Sequence, residues 1–114
     1  MPFINLRTNV NISNDVELKI KEEIGKAIEL LPGKSENWLM VNFSDNCHLY
    51  FRGENDTSIC IVEVKLYGKS NASNYDALTG KISEIINKYL NISEDKIYVE
   101  YEETPFWGWS GSNF

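Results

Sequence analysis

The sequence contains little of what a disulfide framework or a metal site would require. Only two of its 114 residues are cysteines, Cys47 and Cys60, and no Cys-x-x-Cys pair occurs. Small disulfide scaffolds carry many more cysteines, so we expect two reduced thiols. The single histidine, His48, has no cysteine or histidine cluster around it with which to form a tetrahedral metal site. We therefore expect neither a metal nor a cofactor.

Long apolar runs and clusters of basic residues are also missing. No stretch approaches the roughly 20 apolar residues that span a membrane, and MPFINLRTNV does not have the charged leader and apolar run of a signal peptide. The eleven Lys and Arg residues are spread along a chain of formal net charge −6, unlike the basic footprint that binds phosphate backbones. We expect no membrane partner, no nucleic acid partner and a cytoplasmic location.

The first part of the chain follows a strand-helix-strand pattern. Residues 2–9 alternate apolar and polar, which predicts a strand. Asn14 and Glu17 then have the spacing of a helix capping box, and Pro32-Gly33 is expected to stop the helix. A second strand is predicted over residues 38–43. The apolar residues at helical spacing are Val16, Ile20, Ile24, Ala27, Ile28 and Leu31.

The same pattern returns 58 residues later. IVEVKL, residues 61–66, falls on residues 3–8, and IYVEY, residues 97–101, falls on residues 39–43. Leu78, Ile82 and Ile86 fall on Ile20, Ile24 and Ile28. We therefore predict one domain over residues 1–114 with an internal repeat of about 2–43 and 60–101.

Each repeat is long enough for a right-handed βαβ crossover. Two such units predict an α/β fold with a four-stranded mixed sheet and both helices on one face. The other face would then expose Phe3, Leu39, Val41 and Ile97 or their alternates, which favours self-association. Residues 48–53, HLYFRG, predict a short strand or turn. The aromatic tail TPFWGWSGSNF predicts a short strand or an ordered arm that packs on a neighbouring chain.

Several short motifs occur in the order found in one known family. They are the Met1-Pro2 start, Gly33-Lys34, LYFRG, Tyr67-Gly68, IYVEY and the ending GW…F. With these motifs the chain resembles the macrophage migration inhibitory factor family of the tautomerase superfamily over essentially all 114 residues. The resemblance implies a homotrimer with three sites, one at each subunit interface.

Pro2 is the expected catalytic residue. After removal of Met1 it would carry a free secondary amine, and burial in an apolar pocket disfavours the charged form of such a group. A neutral amine can take a proton from the carbon next to a carbonyl group. With Met1 attached, the proline nitrogen is an amide and has no basicity. Taken alone, however, Pro2 is weak evidence, because many proteins carry proline at this position.

The resemblance assigns roles to six further residues. Lys34, which could simply complement the helix dipole, is implied to bind a substrate carboxylate and to keep the Pro2 amine neutral. Tyr98 is implied to reach into a neighbouring subunit's site. The remaining four are expected to line the pocket, although all of them except Tyr67 could instead pack in the core: Trp38, Tyr67, Trp109 and Phe114.

These roles imply a keto–enol tautomerase that acts on phenylpyruvate or dopachrome-like compounds, with a small aromatic keto or enol acid as its substrate. The alternative is a cytokine-like mediator that is secreted without a leader and binds a receptor, its pocket being vestigial. One departure bears on the substrate. Glu100 stands where the vertebrate cytokine has asparagine, and a carboxylate there would repel a substrate carboxylate unless Glu100 points away or pairs with a basic residue such as Lys34 or Arg52 of a neighbouring chain.

Overall fold

The computed structural model describes all residues from Met1 to Phe114. Single 3-10 turns lie at Ile28–Leu30, Glu36–Trp38 and Glu94–Lys96. In chain order, the strands and helices are β1 (Pro2–Thr8), α1 (Asn14–Ala27), β2 (Met40–Ser44), β3 (Cys60–Tyr67), α2 (Ala72–Leu90), β4 (Ile97–Thr104), β5 (Gly108–Trp109) and β6 (Ser112–Asn113).

The first four strands form one mixed sheet, as predicted. Its order is β2-β1-β3-β4, with parallel outer pairs and an antiparallel central pair, β1 and β3. Strict alternation along β3 buries every second side chain beneath the helices. The largest fully buried side chains come from both helices, the turns that follow them and the central strands: Ile4, Leu6, Ile20, Ile24, Ile28, Leu31, Leu66, Leu78, Ile82, Ile85, Ile86 and Ile92.

The backbone repeats with the same 58-residue offset as the sequence. Gly33 and Asn91, which follow the two helices at equivalent positions, both have left-handed backbone conformations. Two tight turns, Arg52-Gly53 and Ser110-Gly111, are also equivalent, and all four of their residues have positive φ. The structural correspondence therefore extends beyond the second strand of each unit.

Two predicted boundaries are wrong. Ser13, rather than Asn14, is the N-cap of α1, because its hydroxyl accepts a hydrogen bond from the Val16 amide. The second strand begins at Met40, because residues 36–38 form a 3-10 turn. That turn lets the chain reverse direction between the helix layer and the sheet.

The composition of the open sheet face also differs from the expectation. Leu39, Val41 and Ile97 do not lie there, since all three contribute to the core beneath the helices. The register explains the difference, because Phe3 pairs with Met40 and its neighbour Ile4 pairs with Val41. Even-numbered residues of β2 therefore point to the open face.

The segments outside the main sheet are turns and a small hairpin. Residues 51–54 form a turn closed by a single bridge between Phe51 and Glu54. The aromatic tail forms the β5–β6 hairpin, which packs against its own chain. Neither helix has the length and apolar character needed to cross a membrane. Both cysteines are free thiols, as expected.

Candidate active site

The start of β1 brings Pro2 to the end of the sheet, against the last residues of β3. Pro2 is buried and pairs with Leu66. The Tyr67 amide donates a hydrogen bond to the Met1 carbonyl, with an N···O distance of 3.1 Å. Because that carbonyl is bonded directly to the Pro2 nitrogen, the Tyr67 amide lies next to the nitrogen that Met1 removal would free.

Lys34 reaches the same point from the helix layer. Gly33 has φ +82°, which favours glycine and turns the chain after Leu31 and Pro32. The Lys34 ammonium then donates to the Tyr67 carbonyl at 2.9 Å. Its partner is thus a strand carbonyl, not the last carbonyls of a helix. Both polar groups of the Tyr67 backbone are therefore used within this site.

Electrostatics at this end of the sheet favour a neutral amine. Burial, followed by the charge and the hydrogen-bonding group of Lys34, holds the pKa of the Met1 α-amino group below its ordinary value of 8.0. Desolvation and a nearby like charge both disfavour a protonated amine. An amine one residue further along, on Pro2, would meet the same buried surroundings and the same lysine.

Four aromatic residues form a wall beside these groups. Trp38 and Trp109 meet edge to face at 5.2 Å between ring centroids, and Tyr67 and Phe114 lie 5.4 Å apart. The Trp109 and Phe114 rings are nearly parallel, 6.5 Å apart. Trp38, Trp109 and Phe114 are each about half exposed. All three line a surface, so the alternative that they pack in the core is wrong.

Tyr98 is the one predicted site residue that lies elsewhere in the chain. It stands at the start of β4, where it pairs with Ile61 and meets the Phe51 ring edge to face at 5.4 Å. Contacts link the other six predicted residues into one group through Tyr67, Phe114 and Trp109. A role for Tyr98 in this site therefore requires a second copy of the chain.

The sequence did not indicate how the loop after β3 is held. The Ser70 amide donates hydrogen bonds to the Tyr75 hydroxyl, at 3.0 Å, and to a Glu103 carboxylate oxygen, at 3.3 Å. The Tyr75 hydroxyl also donates to Glu103, at 2.5 Å. These contacts join residues far apart in the chain, and no local pattern marks them. They fix the position of the loop that follows Tyr67 relative to α2 and β4.

No cluster of three or more His, Cys, Asp or Glu side chains lies anywhere in the chain in a position to hold a metal ion. The groups available for chemistry at the candidate site are therefore the nitrogen of Pro2, the Lys34 ammonium, the Tyr67 amide and the aromatic wall. Together they can hold a small planar anion or carbonyl compound beside a base.

The duplicated βαβ sheet with this site at the start of β1 defines a two-layer α/β protein of the tautomerase superfamily type. Two solved structures match nearly the whole chain. Leishmania major MIF2 has a TM-score of 0.92 and 29% sequence identity, covering 100% of this chain and 97% of that one. A macrophage migration inhibitory factor homologue from Prochlorococcus marinus has a TM-score of 0.87 and 32% identity, covering 98% of each chain.

The sequence comparisons agree with the structural ones. The family model for macrophage migration inhibitory factor matches residues 1–114. Macrophage migration inhibitory factor of Xenopus laevis is 23% identical over 116 residues, which cover 100% of this chain and 99% of that protein. The chain belongs to the macrophage migration inhibitory factor family.

Proposed function

We propose that this protein is a keto–enol tautomerase for small aromatic carbonyl compounds of the phenylpyruvate or dopachrome type, with Pro2 as the base. The observation that carries the proposal is the environment of the chain's first amine. It is partly buried, it lies beside Lys34, and its pKa is lowered. A base needs this environment in order to be unprotonated at neutral pH.

The reaction moves one proton and releases nothing. The Pro2 nitrogen takes the proton from the enol oxygen, and the electron pair of that O–H bond forms the carbonyl. The former C=C electron pair then takes the proton back from Pro2 at carbon. The reverse direction removes the carbon-bound proton and reprotonates oxygen. No oxidant, reductant or cofactor is needed for the balance.

Two groups suit the polar end of such a substrate. When Met1 is removed, its carbonyl leaves the Tyr67 amide, which becomes a free donor next to Pro2. The Lys34 ammonium, which is bonded to the Tyr67 carbonyl, adds a positive charge beside that amide. A substrate oxygen would then replace the Met1 carbonyl. The aromatic wall would hold the ring by offset or edge contacts.

The open sheet face favours assembly of several copies. It carries two apolar corners at equivalent positions of the repeat: a site corner of Phe3 and Met40, and a far corner of Ile61 and Tyr98. Met40 is 69% exposed and Tyr98 is 59% exposed. An apolar cavity of about 140 Å³ adjoins the far corner.

The two corners differ in shape, so a contact between them is head to tail. Such contacts close into a ring of identical subunits when the rotation from one subunit to the next closes. In the proposed homotrimer the far corner of one protomer covers the site corner of the next. Tyr98 would thereby enter the neighbouring site, which contains every other predicted residue.

The test is Pro2→Gly in protein whose intact mass shows that Met1 is absent. We expect turnover of phenylpyruvate enol to fall at least about a hundredfold, the scale of a lost general base, with the assembly mass unchanged. Lys69→Met, in the neighbouring loop, is the control for a surface change. Full turnover by the Pro2→Gly protein would reject Pro2 as the base. Receptor binding that survives the substitution, with weak turnover on every enol, would favour the cytokine-like alternative.

A further inference from the structure

The Lys34 ammonium is held by one bond within the chain, the bond to the Tyr67 carbonyl at 2.9 Å. No carboxylate pairs with it. Because the lysine stem is long and flexible, its charge is only as well placed as the group to which it is bonded. The position of this charge beside Pro2 therefore depends on the direction in which the Tyr67 carbonyl points.

The Tyr67 carbonyl belongs to the peptide at which the chain leaves β3. The next residue, Gly68, has φ +84°, and its amide donates to the Thr104 carbonyl at 3.0 Å. Residues 68–71 form the whole connection between β3 and α2. Glycine adopts many backbone conformations at little cost, so the direction of this peptide depends on how the residues after Gly68 are held.

Glu103, near the end of β4, holds those residues. The Ser70 amide donates to a Glu103 carboxylate oxygen and to the Tyr75 hydroxyl, and that hydroxyl donates to the same carboxylate oxygen. Tyr75 is held in turn by Tyr101, whose hydroxyl donates to the Tyr75 carbonyl at 3.0 Å. The bonds from Tyr75 and Ser70 keep the pKa of the Glu103 carboxyl below its ordinary value. Hydrogen bonds to such an ionised acceptor are stronger than those between neutral groups.

The first half of the molecule contains the equivalent bond. Asp45, which precedes Glu103 by the repeat offset, accepts from the Ile12 amide at 2.9 Å. Ile12 is the equivalent of Ser70, but at that end a buried isoleucine, Ile92, stands in place of the lysine. The bond from carboxylate to amide is thus common to both halves, and only at the site end does it support a carbonyl that holds an ammonium group.

We propose that Glu103 is a positioning residue: it fixes the loop after β3 and so places the Lys34 ammonium where it meets the carboxylate of a substrate. This role rests on the proposed function, and Glu103 itself does not touch the substrate. Without Glu103 the peptide after Tyr67 could rotate, and the ammonium group would spread over more positions. Small misplacements of a binding group are costly, since roughly 1 Å can reduce a rate by about a hundredfold.

The test measures binding of 3-phenylpropanoate, an unreactive aromatic carboxylate, to the Met1-free protein by titration calorimetry. Glu103→Ala should raise the dissociation constant roughly fivefold, about 1 kcal/mol. Glu103→Gln, which keeps an acceptor oxygen, should stay within about twofold of the wild type. Asp45→Ala is the matched control, because it removes the equivalent carboxylate at the opposite end, and it should also stay within about twofold. Both alanine variants lose one negative charge, which by itself would strengthen binding of an anion.

A second measurement tests whether Glu103 acts through Lys34. In a Lys34→Ala background, Glu103→Ala should change the dissociation constant by less than about twofold, because the group that it positions is already absent. An equal loss with and without Lys34 would overturn the proposal. So would unchanged or tighter binding by Glu103→Ala, an equal loss in Asp45→Ala, or no binding by the wild type. Failure of Pro2 as a base would leave these dissociation constants unaffected and would show only in the Pro2→Gly kinetics.

Discussion

The two ends of the central β1–β3 pair are built on one backbone template but have different properties. At the site end, the Tyr67 amide donates to the Met1 carbonyl at 3.1 Å. At the opposite end, the equivalent Asn9 amide donates to the Ile59 carbonyl at 3.4 Å. The first end is open and lined by polar groups and aromatic rings, whereas Ile59 is buried.

A few side chains account for the difference. Lys34, which follows the left-handed Gly33, has Ile92 as its equivalent after Asn91, and Ile92 is fully buried in the core. Pro2 has Cys60 as its equivalent. The two strand ends are thus similar in backbone, and they differ in that a half-exposed lysine stands at one where a buried isoleucine stands at the other.

Burial favours the neutral form of the titratable group at both ends. It lowers the pKa of the Met1 amine and raises the pKa of the Cys60 thiol to about 12. In each case the neutral form is favoured. A neutral amine is a base and a neutral thiol is a poor nucleophile, so the same physical effect favours a base at one end and an unreactive thiol at the other.

The largest test of this comparison is to exchange the lysine and isoleucine. Ile92→Lys places an ammonium group where the side chain is 0% exposed, and we expect a loss of about 4 kcal/mol in the free energy of unfolding. The reciprocal Lys34→Ile should change stability by less than about 1 kcal/mol, because Lys34 is only half-buried. Urea unfolding measures both. Similar losses in the two variants would mean that the ends do not differ in burial.

The next test uses pH. Because the pKa of Cys60 is higher in the folded chain, about 12 against 9.0, its stabilisation is complete below pH 9 and is lost as pH rises toward 12. The free energy of unfolding of the wild type should therefore fall more steeply than that of Cys60→Ala, by about 1.4 kcal/mol per pH unit in this range. Tyrosines that titrate there affect both proteins equally. Parallel pH profiles would contradict a buried, neutral thiol.

The smallest test concerns the two helix caps, which occupy equivalent positions. The Asn71 side chain accepts from the Asn74 amide at 2.9 Å, whereas Ser13 accepts from Val16 at 3.3 Å. We expect Asn71→Ala to cost about 1 kcal/mol and Ser13→Ala about half as much. Thermal unfolding of the two variants beside the wild type would reveal the difference. A larger loss from Ser13→Ala would reverse the order that the bond lengths predict.

Much of this architecture could be predicted from the sequence because it depends on short-range periodicity. The alternation in IVEVKL and the 58-residue offset indicate two βαβ units, a four-stranded sheet and a shared helix layer without any tertiary information. The start of β2 could not be predicted, because residues 38–41, WLMV, are apolar without a break and give no sign of the 3-10 turn that ends at Trp38. The side of the sheet that Val41 faces depends on register, which a single strand does not encode.

Six of the seven residues expected at the site lie together in the fold, but their geometry could not be predicted. Pro2 and Lys34 came from motifs, whereas the bond from Lys34 to the Tyr67 carbonyl joins residues 33 positions apart. The separation of Tyr98 from the other site residues also depends on the completed sheet. The pairing of Arg7 with Glu63, which leaves Glu100 alone, follows from cross-strand register and has no local signal.

The position of the first and last residues has a practical consequence for handling the protein. Met1 contacts Tyr67 through its carbonyl, and the Phe114 ring lies against the Tyr67 ring. A purification tag or fluorescent fusion joined at either end would therefore run across the candidate site and block it. The exposed segment around Asn55 and Asp56, outside every strand and helix, is a better place to insert an affinity peptide or a dye.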